Sequence, residues 1–264
     1  MHWWKGVEMR VIFSSAWVHM KQAFARSMFR YCLFLNPLCN AILLGMMYSE
    51  KSATQFTLYA ILGSSLSSFW TIICFSSAGD INREKYMGTL PVLFTAPAGF
   101  KKILFGKLLG NSIWGLVTFG LNIGFVLLIF GRTIAVKHLS ALILLILLAV
   151  LSFVSLGLLM CSAFTLSRVA QLLMNTIEYP FLLMTGMVFP IDLLWKPIQW
   201  IGYCLSPTWM MKGLYLVVYG ESPQELTRVF LVLSGLTLLN FTLAYLALMK
   251  VEKRCRVEAS LEVY

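Results

Sequence analysis

Charge is scarce in this sequence, and acid is the scarcer sign. Only 12% of the 264 residues are charged, with 11 Asp and Glu against 21 Lys and Arg. The three histidines, His2, His19 and His138, are scattered over termini and loops. No HExxH or GxSxG run and no His/Asp cluster occurs. Chemistry on a bond inside a bilayer needs paired acids, a Ser–His pair or a metal cluster. The sequence therefore excludes an intramembrane hydrolase or phosphotransferase and predicts no metal site. A GxxxxGK[ST] loop is also missing. Gly106-Lys107 is followed by Leu108 and no glycine stands five before Gly106, so the chain cannot cradle ATP by that route. The six cysteines (Cys32, Cys39, Cys74, Cys161, Cys204 and Cys255) form no CxxC pair. Most lie in apolar runs, as small buried hydrophobes do. The N-terminus, MHWWKGVEMR, has no apolar core ahead of a small-residue cleavage site, so no removable signal peptide is expected.

Apolar residues are abundant instead. They make up 59% of the chain, and mean hydropathy is +0.80. A soluble domain is about half apolar and about a quarter charged. The expectation is an all-α, multi-pass membrane protein forming one transmembrane domain over residues 1–264. The net charge of +10 comes from Lys and Arg beside the apolar runs. That is a topology signal, not a nucleic-acid footprint, so the expected surrounding is a lipid bilayer.

Residues 1–30 read as an interfacial segment. Met9, Ile12, Phe13, Ala16, Trp17, Met20, Ala23, Phe24 and Met28 fall on one helical face, with Arg10, Ser14, Lys21 and Gln22 largely off it. Such a helix lies in a membrane interface, or simply leads into the first span. Six spans are expected over residues 31–249, at about 31–48, 56–78, 103–130, 139–166, 170–189 and 226–249. The first carries Asn36-Pro37. The second carries Ser64, Ser67, Ser68 and Thr71 on one side, which serves close helix packing or lines a wet path. The fifth carries Asn175, Glu178 and Pro180. Glu178 stands about eight residues into its span, roughly 12 Å deep. A carboxyl there faces a cavity or serves structure.

Two interruptions stand out. Asp80 to Ala98 gathers Asp80, Arg83, Glu84 and Lys85, then Gly88, Pro91 and Pro97. It reads as a short polar helix between two spans, a handle outside the bilayer. Pro190 to Met211 mixes Pro190, Pro197 and Pro207 with Trp195, Trp200 and Trp209. It is too broken to span, and its tryptophans suit headgroup level, so it reads as a short outer re-entrant helical segment. Ser222-Pro223-Gln224-Glu225 is a helix start for the sixth span. Residues 250–264 form a basic tail. By the positive-inside rule both termini and the Asp80–Ala98 loop are cytoplasmic, and the tryptophan segment is outside.

Arg83-Glu84-Lys85, then Gly88-Thr89-Leu90, then Thr95-Ala96-Pro97 resemble the charged loop of ABC-2-type transporter permeases. Gly186 to Pro190, then Trp195, Ile201 and Ser206-Pro207-Thr208 resemble that family's outer segment before its last span. Pro91 departs from the pattern, standing where the family often has an acid. The resemblance implies a six-span subunit of an exporter in a cell membrane, such as the bacterial inner membrane. It implies pairing with a second permease copy, as a homodimer or with a close paralogue, and with two cytoplasmic ABC ATPase subunits. ATP and magnesium would be held on those partners, leaving this chain without enzymatic activity or a cofactor of its own. Arg83, Glu84, Lys85, Gly88 and Thr89 would form the coupling helix. The second and fifth spans would line the path, through Ser64, Ser67, Ser68, Thr71, Asn175 and Glu178. Pro190, Trp195 and Pro207 would belong to the outer segment. The substrates implied are drugs, peptides, lipids or polysaccharides, of which the apolar and small-residue lining favours an amphipathic molecule. A channel or secondary transporter working without ATPase would show several intramembrane charges or inverted repeats. One glutamate and no visible repeat speak against it.

Overall fold

The computed structural model describes residues 2–96, 98–132, 139–165, 169–219 and 223–257. Every element among them is helical: α1 (His2–Ala25), α2 (Ser27–Tyr48), α3 (Ala53–Gln55), a π-helix (Phe56–Gly63), α4 (Ser64–Tyr86), α5 (Leu90–Thr95), α6 (Phe100–Phe130), α7 (Leu139–Phe164), α8 (Ala170–Met184), a 3₁₀ turn (Ile191–Leu193), α9 (Lys196–Tyr203), α10 (Ser206–Tyr219) and α11 (Pro223–Val257). The expected N-cap Ser222, the loop with Lys137 and the turn at Ser167-Arg168 lie outside the described residues.

Among the described residues, five helical segments are long and apolar enough to cross a membrane: Ser27–Tyr48, Ala53–Ile73, Phe100–Phe130, Ser140–Ala163 and Pro223–Lys253. The expected fifth span is shorter than its apolar run. Helix α8 has 15 residues, about 22 Å at 1.5 Å per residue, against a hydrocarbon core of about 30 Å. It stops because Gly186 turns left-handed at φ +75° and Pro190 follows, although the residues between them are apolar. Helix α11 continues into the basic tail, to Val257.

Helix α6 is the hub, packing against α1, α2, α4 and α7, while α7 pairs with α11. Small residues permit this. A Cβ built on Gly106 would stand 2.6 Å from the Ile12 carbonyl oxygen, and one on Gly110 would stand 2.9 Å from that of Ala16. Such spacing of small residues lets two backbones approach closely where lipid offers no hydrophobic drive. Helix α1 therefore runs lengthwise along the first half of α6. It extends from Ile12 against Gly106 to Phe24, which stacks on Trp114 with ring centres 5.2 Å apart. Its small and polar residues Ala16, His19 and Ala23 are buried, while Met9, Phe13, Trp17 and Val18 point away from the bundle. The apolar stripe that predicted an interfacial helix is thus divided: its large members Met9, Phe13 and Trp17 face outward, while Ala16 and Ala23 lie in the inner seam beside His19, which the apolar periodicity does not mark. Aromatic packing fixes the centre. Trp70 stacks on Phe181 at 4.1 Å, and Phe153 meets Phe69 edge-on at 4.8 Å. Of the described cysteines, only Cys161 is buried; Cys39 and Cys204 are exposed, contrary to expectation.

The charged interruption is built differently from the handle expected. Its charges do not form a separate helix but continue α4 to Tyr86, because nothing in that run breaks a helix. The breaker is Gly88, at φ +66°. The Thr89 amide donates to the Glu84 carbonyl at 3.0 Å across it, the closing bond of a left-handed helix stop. The separate short helix is apolar α5. It carries Pro91 in its first turn, where a missing N–H costs little, and stacks Phe94 on Phe100 at 4.2 Å.

Candidate functional site

One end of the bundle gathers Arg26, Asp80, Glu84, Lys101, Lys107 and Glu252, and is called here the charged end. At the other, the tryptophan end, the Tyr48 hydroxyl donates to the Val188 carbonyl (2.9 Å) and Arg132 to that of Ser49 (2.9 Å).

Asp80 lies two turns beyond the apolar part of α4, yet it is 3% exposed. His19 Nε2 of α1 stands 2.9 Å from Asp80 Oδ2 and 2.8 Å from Asn111 Oδ1 of α6. Both neighbours are acceptors, so Nε2 carries the proton. Asn111 Nδ2 donates to Asp80 Oδ2 at 3.3 Å. Arg26, in the extended residue between α1 and α2, brings Nη2 to 3.6 Å from Oδ1, and Arg83 to 3.9 Å. One carboxylate thus ties α1, the α1–α2 joint, α4 and α6. Burial would raise its pKa. The bond from His19 and the charges of His19, Lys107 and Arg26 outweigh that and hold it below the usual carboxylate value.

Glu84 repeats the pattern one turn on. Burial pushes its pKa up. Bonds donated by Lys107 of α6 and by the Thr89 hydroxyl, with the charges of Lys107 and Arg83, bring it below the ordinary value. The acids expected on an exposed handle are therefore its internal fastenings. What the turn presents outward is Tyr86, 92% exposed, Met87, 69% exposed, and Gly88. Arg83 keeps contact with Gln22 of α1 at 3.5 Å. The side chain of Lys85 lies outside the described residues.

The serine stripe packs the bundle together. Ser64, Ser67 and Ser68 are buried. Asn122 of α6 accepts from Ser64 (2.6 Å) and Ser65 (3.0 Å), and donates to the Pro37 carbonyl (2.9 Å) and to Ser68 (3.2 Å). Asn40 of α2 adds a bond to Ser68 at 3.0 Å. Two asparagines thus engage the hydroxyls of Ser64, Ser65 and Ser68, while the Ser67 hydroxyl donates to the Ser64 carbonyl at 2.8 Å within its own helix. Thr71 differs: it hydrogen-bonds Glu178, so α4 and α8 meet through that pair within one chain. Around the half-buried Glu178, the outward face of α8 carries exposed Leu172, Asn175, Thr176 and Tyr179. In the tryptophan-rich segment, Pro190 ends the turn after α8, Trp195 is exposed, and Pro207 is buried in the first turn of α10. Helix α10 packs inward, between α7 and α11.

A family model described as ABC-2 family transporter protein matches residues 40–246, most of the chain. The chain belongs to the ABC-2 transporter family. No curated protein matches it. As an ABC-2 permease it is a membrane component of an ABC transporter, a system that includes an ATPase partner. The matched region runs from the C-terminal part of α2 through most of α11. It contains Asp80, Asn111, Asn122 and Glu178, while His19 and Arg26 lie before it.

Sequence reasoning missed His19, Arg26, Asn111, Asn122 and Lys107. A signal existed for the asparagines: Asn111 and Asn122 are three turns apart in an otherwise apolar run, so they share a face of α6. No local pattern joins His19 to Asp80, which stand 61 positions apart.

Proposed function

We propose that this permease is the path-forming subunit of an exporter driven by two ATPase subunits and paired with a second permease copy, identical or closely related. The observation that carries the reading is the turn at the end of α4. An unbroken helix leads from the bilayer to an exposed tip, Tyr86–Gly88, and its base is fastened to α1 and α6 through Asp80 and Glu84. A push on the segment Arg83–Thr89 is therefore delivered to three helices rather than absorbed by a loose loop. The charged end and both termini face the cytoplasm in this reading, because Lys and Arg concentrate there. ATP and magnesium act on the partner, which closes on binding ATP and moves the tip. The conformational equilibrium shifts only by the partner's differential affinity for the two states of the permease. Thr71, Asn175 and Glu178 border the path, which a second copy completes by covering the open face of α8. The cargo is amphipathic, a drug, peptide, lipid or glycolipid.

The test is mild-detergent purification of the tagged chain from its native membranes, with native mass spectrometry. Two copies of permease with two copies of a P-loop protein, and ATP hydrolysis by that assembly, are expected. A chain that purifies without any P-loop protein, and passes ions or solutes in vesicles lacking ATP, would overturn the proposal.

A further inference from the structure

A cavity of about 420 Å³ opens at the tryptophan end, between the π-helix, the turn 185–192, α10 and the start of α11. Its floor is apolar and buried, with Tyr59, Met211, Leu216 and Val229. Its rim carries Asp192, Glu225, Lys212 and Arg228. Two charges of each sign thus share one opening, and no ion pair within 4.0 Å joins any two of them. They still share a field. Burial pushes the Lys212 ammonium below its usual pKa, Asp192 and Glu225 work against that, and Arg228 works with it. Lys212 is held over the rings of Tyr203 (4.3 Å) and Trp209 (4.9 Å), so an aromatic brace positions its charge and no carboxylate neutralises it.

We infer that this cavity binds a phosphate–ammonium zwitterion, the phosphoethanolamine unit, with the phosphate at Lys212 and Arg228 and the ammonium at Asp192 and Glu225. A rim of balanced charge gives no net attraction to a purely anionic or cationic head. Two unpaired groups of each sign on one rim reward a ligand that satisfies both signs at once. The apolar floor accepts the carbon portion beside the head. The volume lies in the range of small-ligand sites, about 300–1,000 Å³, and is too small for a whole two-chain lipid. Exposed Trp195 and Trp200 place the opening at headgroup level. The walls are built rather than incidental. Gly63 of the π-helix lets the Met187 carbonyl approach to 2.1 Å of where a Cβ would stand, and Tyr48 holds the next carbonyl. The inference concerns the outer end and does not depend on how ATPases couple to the charged end.

The chemistry has two sources, an outer-leaflet phospholipid or a free solute, and the test separates them. The delipidated chain in detergent is titrated with phosphatidylethanolamine or phosphatidylglycerol, and bound lipid is counted by native mass spectrometry. Glycerophosphoethanolamine serves as the soluble competitor. Wild type should retain phosphatidylethanolamine about tenfold better than phosphatidylglycerol, and Lys212→Gln and Asp192→Asn should each erase that preference. Lys51→Gln, a charge outside the cavity lining, should keep it. Competition by millimolar glycerophosphoethanolamine would show that the head alone suffices. Failure to compete, with the preference intact, would assign the site to the lipid. Equal retention of the two lipids by wild type, or an unchanged preference in both variants with normal elution on size exclusion, would overturn the inference.

Discussion

Replacing Gly106 with alanine tests whether the seam between α1 and α6 sets the architecture of the charged end. The added methyl carbon would stand 2.6 Å from the Ile12 carbonyl oxygen and 2.8 Å from Ser15 Cβ. The first obstacle is backbone and cannot rotate away, so α1 must lift. Overpacking of this kind costs about 1–3 kcal/mol. A glycine-to-alanine change in a helix also returns about 1 kcal/mol of propensity, which would blur a comparison with wild type alone. Gly124→Ala on the same helix removes the ambiguity, since its Cβ would meet nothing within 4 Å. The propensity gain then cancels, and Gly106→Ala should be less stable than Gly124→Ala by about 1–3 kcal/mol. The measurement is equilibrium unfolding in detergent, followed by tryptophan fluorescence. A lifted α1 would also draw His19 away from Asp80, so combining Gly106→Ala with His19→Gln should cost less than the sum of the two. Gly106→Ala as stable as Gly124→Ala, or full additivity with His19→Gln, would refute the close seam.

Two further outcomes follow from the site. Asp80→Asn should cost about 3 kcal/mol at pH 7, because it removes the anion from a buried cluster holding His19 and Arg26. Since the folded carboxyl titrates below its ordinary value, its contribution is present above about pH 4 and lost as pH falls through the folded pKa. The gap between wild type and Asp80→Asn should therefore be level from pH 8 to 5 and close only in stronger acid, as read by urea unfolding across pH. Glu178→Gln keeps the bond with Thr71 in shape while removing charge, so expression should hold and ATP-driven export of an amphipathic dye should change. Dye export identical to wild type would leave Glu178 a structural residue.

Spans α2, α6, α7 and α11 were legible because membrane crossing is written in composition: some twenty apolar residues leave little else to form. The ends of α4 and α8 were not, because helices stop at backbone geometry rather than at a change of polarity. Asp80, Arg83 and Glu84 are good helix residues and extend α4, whereas Gly88 ends it. Gly186 ends α8 within an apolar stretch. The candidate site divides the same way. The serine stripe on α4 was visible, but its use depended on Asn122 and Asn40 arriving from α6 and α2. The meeting of Thr71 and Glu178 was visible as two polar patches, and the structure joins them within one chain. His19 looked incidental, since its acid is brought to it only by the packing of small residues along α6.

The central claim, that the tip of α4 receives the ATPase stroke, is tested most directly by placing a photo-crosslinking residue at Met87. This side chain is exposed and makes none of the bonds that fasten Asp80 and Glu84. Irradiation in native membranes, followed by mass spectrometry of the adduct, should identify a P-loop ATPase. The yield should change between ATP-free membranes and membranes holding ATP with vanadate. An adduct with lipid alone in both conditions, while the same residue placed at Leu193 of the tryptophan end captures the ATPase, would contradict the account.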